Sequence, residues 1–198
     1  MTQDSPEHRS VRPPHPLAVA LIERLHERPG ARVLDFGTGS GRNTFALRAA
    51  GFAVTPVADG ATPAALEAVA RDASPFTAAI STHALLHGKA RDIELAVNTL
   101  AELLEPGAPL YATFGSVRDA RFGQGARIDD RTFAPTAGDE AGVAHAFFNE
   151  VEIRGLLSTH FVIESIDERG VDAIAGSWAH RERPLEDSVH WFVIATRH

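Results

Sequence analysis

Residues Val33 to Asn43 read Val-Leu-Asp-Phe-Gly-Thr-Gly-Ser-Gly-Arg-Asn: an apolar run, an acid, three alternating glycines, then a helix-forming segment. That order describes a buried strand turning sharply into a helix beside a bound small molecule. Glycine permits positive φ and close approach of backbone to a ligand. A dinucleotide turn needs Gly-x-Gly-x-x-Gly/Ala, with a pyrophosphate at the helix N-terminus and an acid about 20 residues further on. Here the spacing is Gly-x-Gly-x-Gly, and the sixth position is Arg42, too large for close helix–strand packing. Asp35 also sits at the mouth of the turn, where a carboxylate would repel a pyrophosphate. A ligand without phosphate and with net positive charge fits better. Opposite charges a few Å apart in a partly dry site attract by several kcal/mol before desolvation is counted.

S-adenosyl-L-methionine, with its sulfonium and α-ammonium, is such a ligand. The stretch resembles motif I of the class I S-adenosylmethionine-dependent methyltransferases, (V/I)LD-x-G-x-G-x-G, through Val33, Leu34, Asp35, Gly37, Gly39 and Gly41. Phe36 stands where that family more often has an aliphatic residue. The resemblance implies cofactor contacts from Asp35, Phe36, Gly37, Thr38, Gly39, Gly41 and Asn43, the acid and the glycine loop holding the methionyl part. It assigns the ribose hydroxyls to Asp59, one position later than the family acid usually sits. Ser81 to His83, after a later strand, would border the methyl group, with Ser81 and Thr82 as cofactor contacts.

The segment Ser81-Thr82-His83-Ala84-Leu85-Leu86-His87 resembles the family's h-L-x-H segment, with His87 on the family histidine. In an open α/β sheet, ligands bind outside the carboxyl ends of strands near the switch in strand order. His83 and His87 would share one face of a turn if the segment is helical, and they are the candidate catalytic residues. A general base fits, since histidine titrates near neutrality. A metal pair would need further ligands, so no metal centre is expected. Packing and hydrogen bonding remain the third reading. Methyl transfer itself asks mainly for in-line positioning. Aromatic faces can stabilise a cation, and Phe36, Tyr111 and Phe114 lie at strand ends, although core packing is the commoner role. The polar, glycine-rich loop Arg118 to Gly125, closed by His145, Phe147 and Phe148, and a second long loop holding Trp178 and His180, are read as a lid over a small-molecule acceptor.

Strands and helices must alternate to place these residues. Pro16 opens a helix with Leu17, Leu21 and Leu25 on one face. Strands are expected at Arg32–Phe36, Phe52–Val57, Phe76–Ser81, Pro109–Phe114, Phe161–Ile166 and Val189–Thr196. Helices are expected at Arg42–Ala50, from Pro63 (capped by Thr62) to about Arg71, around Ile93–Leu104, and from an Asn149-x-x-Glu152 capping box through Leu157. The Leu104–Gly107 turn resembles the family's L-x-P-G-G. This pattern predicts one doubly wound, Rossmann-like α/β domain over 15–198, after a flexible arm over 1–14. Its sheet is mostly parallel, with an antiparallel C-terminal strand. The chain looks closest to small-molecule methyltransferases, including the tellurite-resistance type.

One part of the usual layout has no room. About eighteen residues separate Gly60 from Thr77, and a parallel crossover alone takes about a dozen. The family's third strand is therefore expected to be absent, leaving the second as a sheet edge. The acid that this strand carries for the adenine then has no counterpart, unless Asp72 substitutes. An exposed edge also invites a homodimer.

The 198 residues suffice for one sizeable core. A net charge of −7 gives no electrostatic pull toward nucleic acid. The absence of cysteine excludes disulfides, thiolate zinc sites and cysteine nucleophiles. No apolar run approaches a membrane span and no signal core opens the chain, so a cytoplasmic enzyme without a membrane partner is expected. Lys89 is the only lysine among 19 basic residues, a bias that suggests a GC-rich, bacterial genome. Two alternatives stay open: a non-catalytic descendant that binds S-adenosylmethionine or S-adenosylhomocysteine, and an NAD-dependent oxidoreductase.

Overall fold

The structure, a computed structural model, describes residues 13–58, 63–70, 75–138, 140–171 and 187–198. In chain order the elements are α1 (Pro16–Arg24), β1 (Arg32–Phe36), α2 (Arg42–Ala49), β2 (Ala53–Val57), α3 (Pro63–Ala70), β3 (Ala78–Ser81) and α4 (Ala90–Leu103). There follow β4 (Pro109–Ser116), β5 (Ala126–Arg127), β6 (Thr132–Ala134), β7 (His145–Phe148), α5 (Glu150–Ser158), β8 (Phe161–Gly170) and β9 (Val189–Arg197).

β2, β1, β3 and β4 are parallel neighbours in that order, so the central strands read as near-continuous apolar runs, buried on both faces. β9 runs antiparallel between β4 and β8, which supplies the expected antiparallel C-terminal pair. Among the described residues no strand intervenes between β2 and β3, and β2 pairs with β1 alone. Pro56, which has no N–H to donate, suits that edge. Two apolar layers close the sheet. One packs α4, α5 and Leu66 of α3 against Leu34, Phe36, Leu110 and Phe114. The other packs Leu17, Leu21 and Leu25 of α1 against Val33, Ile80 and Tyr111.

The sequence reads as one glycine-rich polar loop from about Gly115 to Ala146, and the structure departs from that expectation. The segment is not one loop: it carries β5, β6 and β7. β7 adds to the end of β4 in parallel, Gly115 opposite Phe147 and Ser116 opposite Phe148. Gly115 makes this possible, because a Cβ there would stand 2.5 Å from the Ala146 carbonyl oxygen. Pro13 and Pro14 are described; the rest of the expected N-terminal arm, with Asp59, Thr62, Asp72, Trp178 and His180, lies outside the described residues. No helix among the described residues is long and apolar enough to cross a membrane.

Candidate functional site

The glycine turn is built as its residues dictate. Gly37, Gly39 and Gly41 all have positive φ, and Gly41 is the left-handed residue that opens α2. The Gly37 and Thr38 N–H groups both donate to the Val57 carbonyl, at 2.9 and 3.1 Å, so the turn is held against the end of β2. Asp35 is fully buried beneath it. Its Oδ2 accepts from the Thr44 hydroxyl at 2.5 Å, while the buried Oδ1 has no hydrogen-bond partner. Burial raises the Asp35 carboxyl to about 6, against the opposing pull of the Thr44 hydrogen bonds. A buried carboxylate oxygen without a donor is costly, and a cationic N–H donor would relieve it.

Asn43 acts as a clamp. Its Oδ1 accepts from the His15 N–H at 2.9 Å and its Nδ2 donates to Thr82 Oγ1 at 2.9 Å, joining the start of α1 to the segment after β3. Ser81 is buried, with no partner for its hydroxyl. The rings of Phe36, Tyr111 and Phe114 belong to the packed core rather than to an open face.

His83 and His87 do not share a helical turn; the segment 82–89 is irregular, with bends, a turn and an isolated bridge at His87, and His83 has φ +59°. The His83 N–H donates to Thr113 Oγ1 at 2.8 Å, which supports that uncommon conformation. The two rings consequently part company. His83 joins His15 and His190, with ring centroids 5.4 and 5.0 Å away. His15 Nδ1 accepts from the Leu17 N–H, so the neutral ring carries its proton on Nε2. Arg121 can only donate, so His190 Nε2, 3.2 Å from it, is the accepting nitrogen. Burial, aided by His83 and Arg42, lowers His15 to about 2. Burial also holds His190 well below the ordinary histidine range, aided by His83 and Arg121. His87 instead meets His145, ring centroids 4.9 Å apart, beside Glu140. The Glu140 carboxyl is pulled down to about 2, first by the adjacent His145 ring.

Arg121 lies between the two groups. It is paired in fork fashion with buried Asp119, at 2.8 and 3.0 Å, and its other edge is 3.5 Å from Glu140. It also lines a cavity of about 270 Å³ with Gln124, Phe133, Pro135, His145 and Phe147. Sequence reasoning placed 118–125 and His145 near an acceptor, but it passed over His15, Asp119's pairing, Glu140 and His190. A lone histidine in the apolar run of β9 was the available signal.

A model of the Methyltransferase domain family matches residues 8–158. No curated protein matches the sequence. Among solved structures, the chain is similar to a Burkholderia thailandensis 1,6-didemethyltoxoflavin-N1-methyltransferase with bound 1,6-didemethyltoxoflavin and S-adenosylhomocysteine. Identity is 20%, coverage 91% of this chain and 76% of that one, and the TM-score 0.61. A Methanosarcina mazei SAM-dependent methyltransferase matches at 19% identity, covering 88% and 96%, with a TM-score of 0.57. The magnesium protoporphyrin IX methyltransferase of Synechocystis PCC 6803, with bound SAM, matches at 15%, covering 91% and 78%, with a TM-score of 0.55. The oxidoreductase and non-catalytic readings find no support in these matches. With its strand order, glycine turn and family match, this chain belongs to the Methyltransferase domain family and has the class I S-adenosylmethionine-dependent methyltransferase fold.

Proposed function

We propose that the protein transfers a methyl group from S-adenosyl-L-methionine to a small-molecule acceptor. The observation that carries this reading is Asp35 Oδ1, a buried carboxylate oxygen lacking a donor at the mouth of the Gly37–Gly41 turn. The α-ammonium of S-adenosylmethionine fits that need in charge and in donor capacity. The cofactor supplies a methyl carbon on a sulfonium, already a good leaving group.

The chain's own residues do the rest. Asp35 holds the cationic end and, once paired, returns toward the ordinary carboxylate range. The Gly37–Gly41 backbone gives close approach, and Ser81 offers its buried hydroxyl. Asp59 keeps the ribose role that the motif implies. His83, half-buried and in ring contact with His15 and His190, is assigned as the general base that takes the acceptor's proton. The pocket around Arg121, Phe133 and Phe147 holds the acceptor by apolar contact, with a guanidinium at its wall. Positioning supplies most of the rate.

Titration calorimetry with S-adenosylhomocysteine tests the reading. The wild type is expected to bind, and Asp35→Asn to lose about 10- to 100-fold in affinity, the worth of a charge-assisted hydrogen bond. No heat with either S-adenosylmethionine or S-adenosylhomocysteine would sink the proposal.

A further inference from the structure

We propose that His87, Glu140 and His145 form a binding site for a divalent transition-metal ion of the zinc type, at the rim of the acceptor pocket. The backbone fixes the two histidines opposite each other. His87 and His145 form an antiparallel bridge, bracketed by Ala146 N–H to Leu86 carbonyl and Gly88 N–H to Ala144 carbonyl, each 2.8 Å.

The tautomer of His145 follows from its partner. Its Nδ1 lies 2.9 Å from the Val143 carbonyl, which can only accept, so Nδ1 carries the proton. Nε2 is then the nitrogen left to face inward as a ligand, the arrangement in which a backbone carbonyl orients a metal-binding imidazole. That Nε2 is buried without a hydrogen bond, yet stands 3.3 Å from Glu140 Oε2. With a proton on Nδ1 alone a lone pair faces the carboxylate, and either a second ring proton or a metal cation between the two relieves that repulsion.

Distances agree. His87 Nε2 is 3.9 Å from Glu140 Oε1, and one ligand atom from each of the three residues lies within 4.8 Å of the others. Two ligands each 2.0–2.1 Å from a tetrahedral zinc ion stand about 3.3–3.4 Å apart, so small side-chain rotations close the set. Two imidazoles and one carboxylate suit zinc or its transition-metal neighbours rather than magnesium or calcium. Three protein ligands leave one position open, as at sites where zinc meets water or a substrate. His145 also lines the 270 Å³ cavity, so an oxygen or nitrogen of the molecule held there can take that position. Arg121, 3.5 Å from Glu140, keeps its own carboxylate in Asp119 when Glu140 turns to the ion.

The test uses the full, untagged chain, stripped with a chelator and titrated with zinc chloride by calorimetry, followed by cobalt substitution. One ion per chain with micromolar or tighter affinity is expected, together with the visible d–d bands of four-coordinate cobalt. His87→Gln and Glu140→Gln, both at half-exposed positions, should each weaken zinc by at least about tenfold while leaving S-adenosylhomocysteine affinity and circular dichroism unchanged. Zinc binding weaker than about 0.1 mM in the wild type, or equal affinity in both variants, overturns the site. Failure of S-adenosylhomocysteine binding with zinc retained touches only the methyl-transfer reading.

Discussion

His83 and His87 are four residues apart, yet they serve two unlike clusters. The first, His15–His83–His190, is packed against Phe192, whose ring stacks on His15 at 5.2 Å. The second, His87–His145–Glu140, opens to solvent through His87 and Glu140. Burial, with the neighbouring rings and guanidinium groups, strips His15 and His190 of their protons, even though Asp119 Oδ2 stands 3.8 Å from His190. A carboxylate at the second cluster gives its imidazoles a partner, or a cation a third ligand. The same residue type is thus proposed as a proton acceptor in one place and as a metal ligand in the other. Arg121 reaches both, 3.2 Å from His190 Nε2 and 3.5 Å from Glu140.

The largest effect should come from His83. His83→Ala is expected to lower kcat by about 10²- to 10⁴-fold, the usual worth of a general base, with S-adenosylhomocysteine affinity within about threefold of wild type. An unchanged kcat on an acceptor that the wild type methylates reduces the first cluster to packing. Next is Asp119→Ala. It removes the buried partner of Arg121 and the acceptor of the Val189 N–H, and urea denaturation should show a loss of about 3–5 kcal/mol.

Acid provides the third measure. His15 and His190, ordinary near 6.5 when unfolded, bind their protons only on unfolding, so their support is lost as pH falls below that value. Asp35, raised to about 6, takes its proton first in the folded state and works the other way below pH 6. Between pH 6 and 4.5 two protons oppose one, so stability should fall by about 1.4 kcal/mol per pH unit. A level profile over that range would mean the buried rings are solvated. Smallest is Glu140→Gln, which removes the half-exposed partner of the same Arg121 and should cost under about 1 kcal/mol in the metal-free protein.

Much of the frame was legible. β1 falls on Arg32–Phe36 as expected, because an apolar run ending in an acid and glycines has one reading in this fold. The Asn149–Glu152 capping box forms in both directions, since it depends only on neighbours in sequence. The short connection after β2 correctly marked that strand as an edge. What escaped depends on distant partners. β5 and β6 are two and three residues long, too short for any periodicity. Gly115 and Ser116 look like loop residues, and they extend β4 because β7 arrives beside them. His15 borders the expected arm beside Pro16 and carries no signal of its own, yet it is buried through contacts with Asn43, His83 and Phe192. Glu140 carries no local signal, and only the fold brings His87 to it.

The pairing of β7 with the end of β4 has a consequence for how such a protein can diversify. Segment 117–144 leaves the sheet at Ser116 and returns beside it, with Val117 N–H bonded to the Phe148 carbonyl at 3.2 Å. Its two ends are already neighbours, so doubling its length adds only about 0.6 kcal/mol of closure entropy. The glycine turn and the buried sheet take no part in that exchange. Segments of other lengths can therefore be accommodated at this doorway while the glycine turn and the buried sheet stay as they are.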